Sequence, residues 1–263
     1  MTPNLFPLEI AAIPSLFTFR NDPGAAAGIK KRYAHFRGGP GPRLLFEVYF
    51  KKREQSPYKP AISFEGDDVR LKRGDFDCIL DRGTGSGRLE IRPGPQSFDS
   101  FLRTLYSWEL LREGGLLLHC AGLVKKGKAY LFLGRSGAGK STLSKLAAAA
   151  GAEIISDELN LVRSRKGRFV VYGSPFWGEM RNEGRQGAWP LAKVFILDKA
   201  KLNRVSDVSS GRSLAVLLRC LMSFSRSRGA SAAALSGATR LMAEIPFSRL
   251  EFSKSDVGFL DLI

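Results

Sequence analysis

Nine consecutive residues constrain this chain more than any others: Gly134-Arg135-Ser136-Gly137-Ala138-Gly139-Lys140-Ser141-Thr142, a complete G-x-x-x-x-G-K-[ST] sequence. An apolar run over 129–133 leads into it as a buried strand, and a helix-forming run over 141–150 follows. Glycines in that setting let the backbone turn its N–H groups toward phosphate oxygens, while the start of the helix adds the positive end of a dipole. The whole segment from Gly134 to Thr142 is therefore expected to hold a nucleotide. Lys140 is expected to reach its β- and γ-phosphates, and the Ser141 hydroxyl to bind Mg²⁺. A strand, a phosphate loop and a helix in that order direct the chain toward an α/β class.

Composition narrows the remaining classes. Three cysteines, Cys78, Cys120 and Cys220, show no paired spacing and no histidine cluster, which argues against a disulfide framework and a zinc site and fits a reducing cytoplasm. No basic residue precedes Arg20, and Pro3, Pro7 and Pro14 interrupt the apolar lead-in, so a signal peptide is not expected, nor is a membrane span. The formal charge of +16 admits an anionic partner: nucleic acid, an acidic protein surface or a phosphorylated ligand. Its basic residues are scattered and no nucleic-acid module accompanies them. Solubility with attraction for a nucleotide is the preferred explanation, and an acidic protein partner stays open. A homo-oligomer is compatible with the sequence, which does not fix the oligomeric state.

The organisation reads as two parts, a β-rich region over 1–95 and a nucleotide-binding core over 96–263. In the first, residues 1–20 alternate apolar residues and prolines, and 21–43 hold two turn clusters expected to form a loop. Strand-like runs follow at 44–50, 61–64, 67–71, 75–80 and 88–92, separated as in an antiparallel meander. Phe98, Phe101, Leu102, Leu105, Trp108 and Leu111 recur at helical spacing, predicting a helix over 97–112 that ends at Gly114-Gly115. A strand over 116–124, a turn over 125–128 and a returning strand over 129–133 form a hairpin. Its register sets His119 or Cys120 opposite Leu133-Gly134, beside the mouth of the phosphate loop.

After the loop helix, a strand over 153–156 ends on Asp157-Glu158. A carboxylate on a strand beside the loop is where a Mg²⁺ partner or a base for a hydroxyl nucleophile belongs. A hairpin over 161–171 precedes a glycine- and arginine-rich stretch over 172–187 that is suited to cover phosphates. Arg181 or Arg185 is expected there to stabilise transferred charge, and the sequence does not separate the two. A strand over 191–197, helices over 213–224 and 231–243, and a strand over 247–252 complete the reading.

Leu118-His119-Cys120, the hairpin, the loop Gly134–Thr142 and Ile155-Ser156-Asp157-Glu158 together resemble the catalytic domain of bacterial HPr kinase/phosphorylase, in a short divergent form. The resemblance covers roughly 98–200. It implies an α/β P-loop kinase core of the HPr kinase and phosphoenolpyruvate carboxykinase type, preceded by the β-rich region. It also implies transfer of the ATP γ-phosphate, with Mg²⁺, to a serine hydroxyl of a protein or peptide. The family's histidine maps onto His119, its loop lysine and serine onto Lys140 and Ser141, and its acids onto Asp157 and Glu158. Asp157 is assigned to Mg²⁺ and Glu158 to the hydroxyl proton, though the reverse order is compatible. The family's His-Gly is His119-Cys120 here, its tandem aspartates are Asp-Glu, and Thr142 replaces an acidic residue. Competing readings are a non-catalytic ATP-binding regulator and a generic ATPase. The second is disfavoured because Leu235-Ser236-Gly237, which faintly mimics a transporter signature, follows the acids instead of preceding them.

Overall fold

The computed structural model describes residues 4–54, 59–181 and 183–263, so Pro3 of the lead-in lies outside the described residues. The fold is mixed α/β, with two sheets and five α-helices among the described residues. Two compact units divide the chain, Met1–Glu109 with Ser223–Ser227, and Leu110–Met222 with Arg228–Ile263. The sequence-based boundary at 95/96 falls after the first residue of the long helix over residues 95–112, and the division between units falls later in that same helix.

In the first unit the chain forms β1 (Asn4–Ile10), β2 (Ile13–Phe19), α1 (Pro23–Arg32), β3 (Leu44–Phe50), β4 (Ala61–Glu65), β5 (Asp68–Arg73), β6 (Phe76–Asp81) and β7 (Ser86–Ile91). The sheet order is β1-β2-β3-β7-β6-β5-β4. Two expectations are corrected here. Residues 21–43 are not all loop: Asp22 caps α1, its carboxylate accepting from Ala25 N–H at 2.9 Å, and Pro23 starts the helix where its missing N–H costs nothing. Nor is the sheet wholly antiparallel, because α1 carries the chain across and lays β3 parallel to β2. Strand β3 is also parallel to β7, and only β4 to β7 meander.

Helix α2 (Pro95–Arg112) sets Phe98, Phe101, Leu102 and Leu105, all fully buried, on one face. Phe98 meets Phe17 edge-on at 5.0 Å, and Phe101 meets Phe46 at 5.5 Å. Each buried phenylalanine contributes about 2–3 kcal/mol of apolar transfer, so this aromatic layer holds the unit together.

The second unit contains β8 (Leu116–His119), β9 (Ala121–Lys125), β10 (Lys128–Leu133), α3 (Lys140–Ala149), β11 (Glu153–Ser156), β12 (Leu159–Arg165), β13 (Arg168–Tyr172), β14 (Ala188–Lys199), β15 (Arg204–Ser206), α4 (Ser210–Cys220), α5 (Arg228–Glu244) and β16 (Phe247–Phe252). Its sheet order is β11-β9-β10-β14-β13-β12-β8, with β16 joining β14 and β15 joining β16. Alternation along β10 sends Leu131 and Leu133 to the core under α4 and α5, and Phe132 to the core under α3.

The expected continuous strand over 116–124 is in fact two. The hairpin register holds, with Phe132 opposite Ala121 across a Lys126-Gly127 turn at φ 50° and 72°. At Cys120 the strand breaks, and β8 leaves to pair with β12, His119 facing Leu159. Local pattern could not reveal this, because no Pro or turn cluster interrupts residues 116–124 and the competing partner lies far along the chain.

Candidate functional site

Direction along the strands assembles the site. Strands β14 and β10 are parallel, as are β16 and β14, while β11 is antiparallel to β9 and β9 to β10. Strands β10, β11, β14 and β16 therefore run the same way and release their C-terminal residues at one edge, where open α/β sheets bind ligands. From β10 comes the glycine loop, from β11 Asp157-Glu158, from β14 Lys199, and just past β16 Lys254.

Within the loop, Gly137 (φ 77°) and Gly139 (φ 103°) hold left-handed backbone that a side chain would strain. Gly139 is also the N-cap of α3, and no side chain caps the first-turn N–H groups of that helix. Such a terminus suits an anion. Lys140 is almost buried, its Nζ donating to the Gly134 carbonyl at 3.1 Å and the Arg135 carbonyl at 3.3 Å.

The break at Cys120 stitches the histidine to the acids. Cys120 N–H donates to the Glu158 carbonyl at 3.1 Å, and Asn160 Nδ2 donates to the Cys120 carbonyl at 2.7 Å. His119 Nε2 consequently stands 3.4 Å from Glu158 Oε2, with both side chains partly open. Burial pushes the Cys120 thiol well up, so that group stays protonated and inert beneath the site.

Asp157 is held differently. The residue is only 4% exposed and its Oδ2 accepts from Met180 N–H at 3.2 Å. The donor belongs to the loop between β13 and β14, which leaves at Gly173 and returns at Gly187 through a Gly173 N–H bond to the Gly187 carbonyl at 3.0 Å. Both neck residues have to be glycine: a Cβ on Gly173 would meet the Arg185 carbonyl oxygen at 1.8 Å, and one on Gly187 the Trp189 ring at 2.4 Å. Gly178 presses on the acid so closely that a Cβ there would lie 2.4 Å from Asp157 Oδ1.

A cavity of about 480 Å³ gathers His119, Lys140, Ser141, Thr142, Asp157 and Glu158 with loop residues Ser136, Gly137 and Gly139. Gly134, Arg135 and Ala138 belong to the loop but do not line this cavity. Arg181 is exposed, at φ 49°, and is not in the lining. Arg185 pairs with Glu153 at 2.5 Å and lies over Trp189. Instead the cavity's further charged residues are Lys199, Lys254 and Glu179, the last 3.5 Å from Lys145. Sequence reasoning missed both lysines, since a lysine at a strand end carries no motif; the apolar run Val194–Leu197 was the available signal. The cavity offers hard oxygen donors, a hydroxyl at Ser141 and a carboxylate at Asp157, of the kind Mg²⁺ takes alongside phosphate oxygens.

The family model of the SynChlorMet cassette protein ScmC matches residues 97–255, more than half of the chain. The chain belongs to the ScmC family. The matched span includes every residue of the cavity. Comparison with curated proteins finds no match. Among solved structures, the HPr(Ser) kinase/phosphatase from Coxiella burnetii is similar at 14% identity over 35% of this chain and 77% of its own, with a TM-score of 0.26. A score at that level leaves the architecture of this ScmC-family chain to be argued from its own strands.

Proposed function

We propose that the chain is an ATP-dependent kinase that transfers the γ-phosphate to a serine hydroxyl of a protein or peptide. The observation that carries this reading is the 3.4 Å approach of His119 to Glu158 in the cavity that also holds Lys140 and Ser141. Loop backbone, Lys140, Ser141 and Thr142 bind the triphosphate, and Ser141 with Asp157 holds Mg²⁺. That ion supplies charge neutralisation to the phosphates. Glu158 accepts the serine proton as the serine oxygen bonds to the γ-phosphorus, and the bond from that phosphorus to the bridging oxygen breaks to release ADP. His119 steadies Glu158 and Lys199 lends positive charge to the transferred group. Arg181 stays a candidate for the same role only if the loop that carries it turns inward.

The test is transfer of label from γ-labelled ATP to acceptors in a native cell extract. Wild type is expected to give a labelled serine, and Lys140→Ala, Asp157→Asn and Glu158→Gln are expected to lose it, with nucleotide binding retained in the last two. Full transfer by both acid variants would sink the site assignment. Two observations favour a non-catalytic ATP-binding reading: Lys140 is turned onto its own loop's carbonyls and Asp157 is covered by the Met180 N–H. ATP binding without a labelled product under any condition supports that alternative.

A further inference from the structure

A second cavity of about 610 Å³ abuts the first and shares Ser136, Gly137 and Lys199 with it. Its floor is the C-terminal end of β14, at Ile196 and Leu197, and its wall is one stripe of α4. Arg212, Ala215, Val216 and Arg219 recur there at three- and four-residue spacing, while Ser213, Leu217 and Cys220 turn into the core. Arg135, Lys199 and Arg219 are exposed and have no ion-pair partner among the described residues. The carboxylate lining the cavity, Asp198, is already engaged by Arg212 at 2.5 Å and Arg249 at 2.7 Å.

The chemistry of this surplus selects its ligand. The phosphates of a nucleotide have the glycine loop, Lys140, Lys199 and Lys254 in the first cavity, and a nucleoside carries no charge that needs the two further cations Arg135 and Arg219. A carboxylate-bearing segment does need them, and the small apolar surface of Ala215 and Val216 suits the methylenes of glutamate. We propose that the second cavity docks an acidic segment of the protein or peptide acceptor, with its serine passed over Ser136-Gly137 into the first. This rests on the kinase reading for the serine, but the docking itself does not require transfer.

The probe is a fluorescein-labelled peptide of alternating serine and glutamate, read by anisotropy on the full chain without nucleotide. Losing a guanidinium–carboxylate contact weakens binding about tenfold or more, so Arg219→Glu is expected to do so and Arg219→Gln to act in the same direction. Lys166→Glu, an equal charge reversal on the exposed turn between β12 and β13, is expected to change binding little. A peptide with glutamine in place of glutamate is expected not to bind. A fluorescent ATP analogue should bind all variants alike, which verifies that they fold. Equal binding by Arg219→Glu and wild type, equal weakening by Lys166→Glu, or displacement of the peptide by adenosine would overturn the proposal; the last would make the cavity a nucleoside subsite. Peptide binding that depends on Arg219, without labelled product from any extract, keeps the docking site and removes the kinase reading.

Discussion

Replacing Gly178 by alanine tests whether the covering loop positions Asp157. The added Cβ would lie 2.4 Å from Asp157 Oδ1, 2.7 Å from Cγ and 2.8 Å from Oδ2, where ordinary contact begins at 3.4 Å. Loop or carboxylate must therefore yield by about 1 Å, a displacement that can cost about a hundredfold in rate when it reaches reacting geometry. That factor corresponds to about 2.7 kcal/mol of barrier. Withdrawal of the loop also endangers the Met180 N–H bond to Oδ2, and a hydrogen bond to a charged group is worth about 1.5–3 kcal/mol. The assay is initial rate of γ-phosphate transfer, with binding of a fluorescent ATP analogue measured beside it. Gly211→Ala serves as the matched control, because a Cβ there meets nothing within 4 Å. Transfer is expected to fall about a hundredfold in Gly178→Ala, with nucleotide binding kept and the control unchanged. A Gly178→Ala rate within about twofold of wild type would refute the reasoning that the loop sets the position of this acid.

Other expectations concern stability and protons. Gly122→Ala puts a Cβ 2.3 Å from the buried Asn160 Oδ1, so denaturant unfolding should show a loss of about 1–3 kcal/mol and weaker attachment of β12. Burial alone would raise the Asp75 carboxyl, but hydrogen bonds from Arg73, both at 2.6 Å, and Ser97 outweigh it and hold its pKa below the ordinary 3.8. Since that pKa is depressed by folding, the stabilisation is present above 3.8 and is lost as pH falls through the folded value. Asp75→Asn should remove that part of the acid-unfolding curve, as followed by circular dichroism. His119→Asn is expected to lower transfer about tenfold to a hundredfold and to leave ATP affinity unchanged, as read by single-turnover kinetics and analogue binding.

Legibility followed the range of the interactions. The glycine loop could be read from sequence because its strand, turn and helix are contiguous, and α2 because its aromatic stripe repeats within one helix. Helix α1 was hidden by Gly24, which suggested a turn, although Asp22-Pro23 is itself a helix-start signal. With α1 unread, the parallel pairing of β2 and β3 was out of reach, since the crossover it provides is what makes the strands parallel. The placement of His119 beside Glu158 rests on a β8–β12 pairing between segments forty residues apart, as Cys120 and Asn160 are. The approach of Lys199 and Lys254 likewise depends on strand order, which no local pattern encodes.

The neck at Gly173 and Gly187 has a consequence for how such a chain can change. Tyr172 and Ala188 are already ladder partners, so the sheet is complete before the loop begins. A backbone hydrogen bond between the two glycines closes the neck, and doubling the length of such an excursion costs only about 0.6 kcal/mol in closure entropy. Inserts can thus be grafted into the exposed part of the loop, at Arg181 for example, while β13 and β14 keep their register. What any graft must preserve is the buried start of the loop at Ser174 and Phe176, the pairs of Glu179 with Lys145 and Arg185 with Glu153, and the Met180 N–H delivered to Asp157.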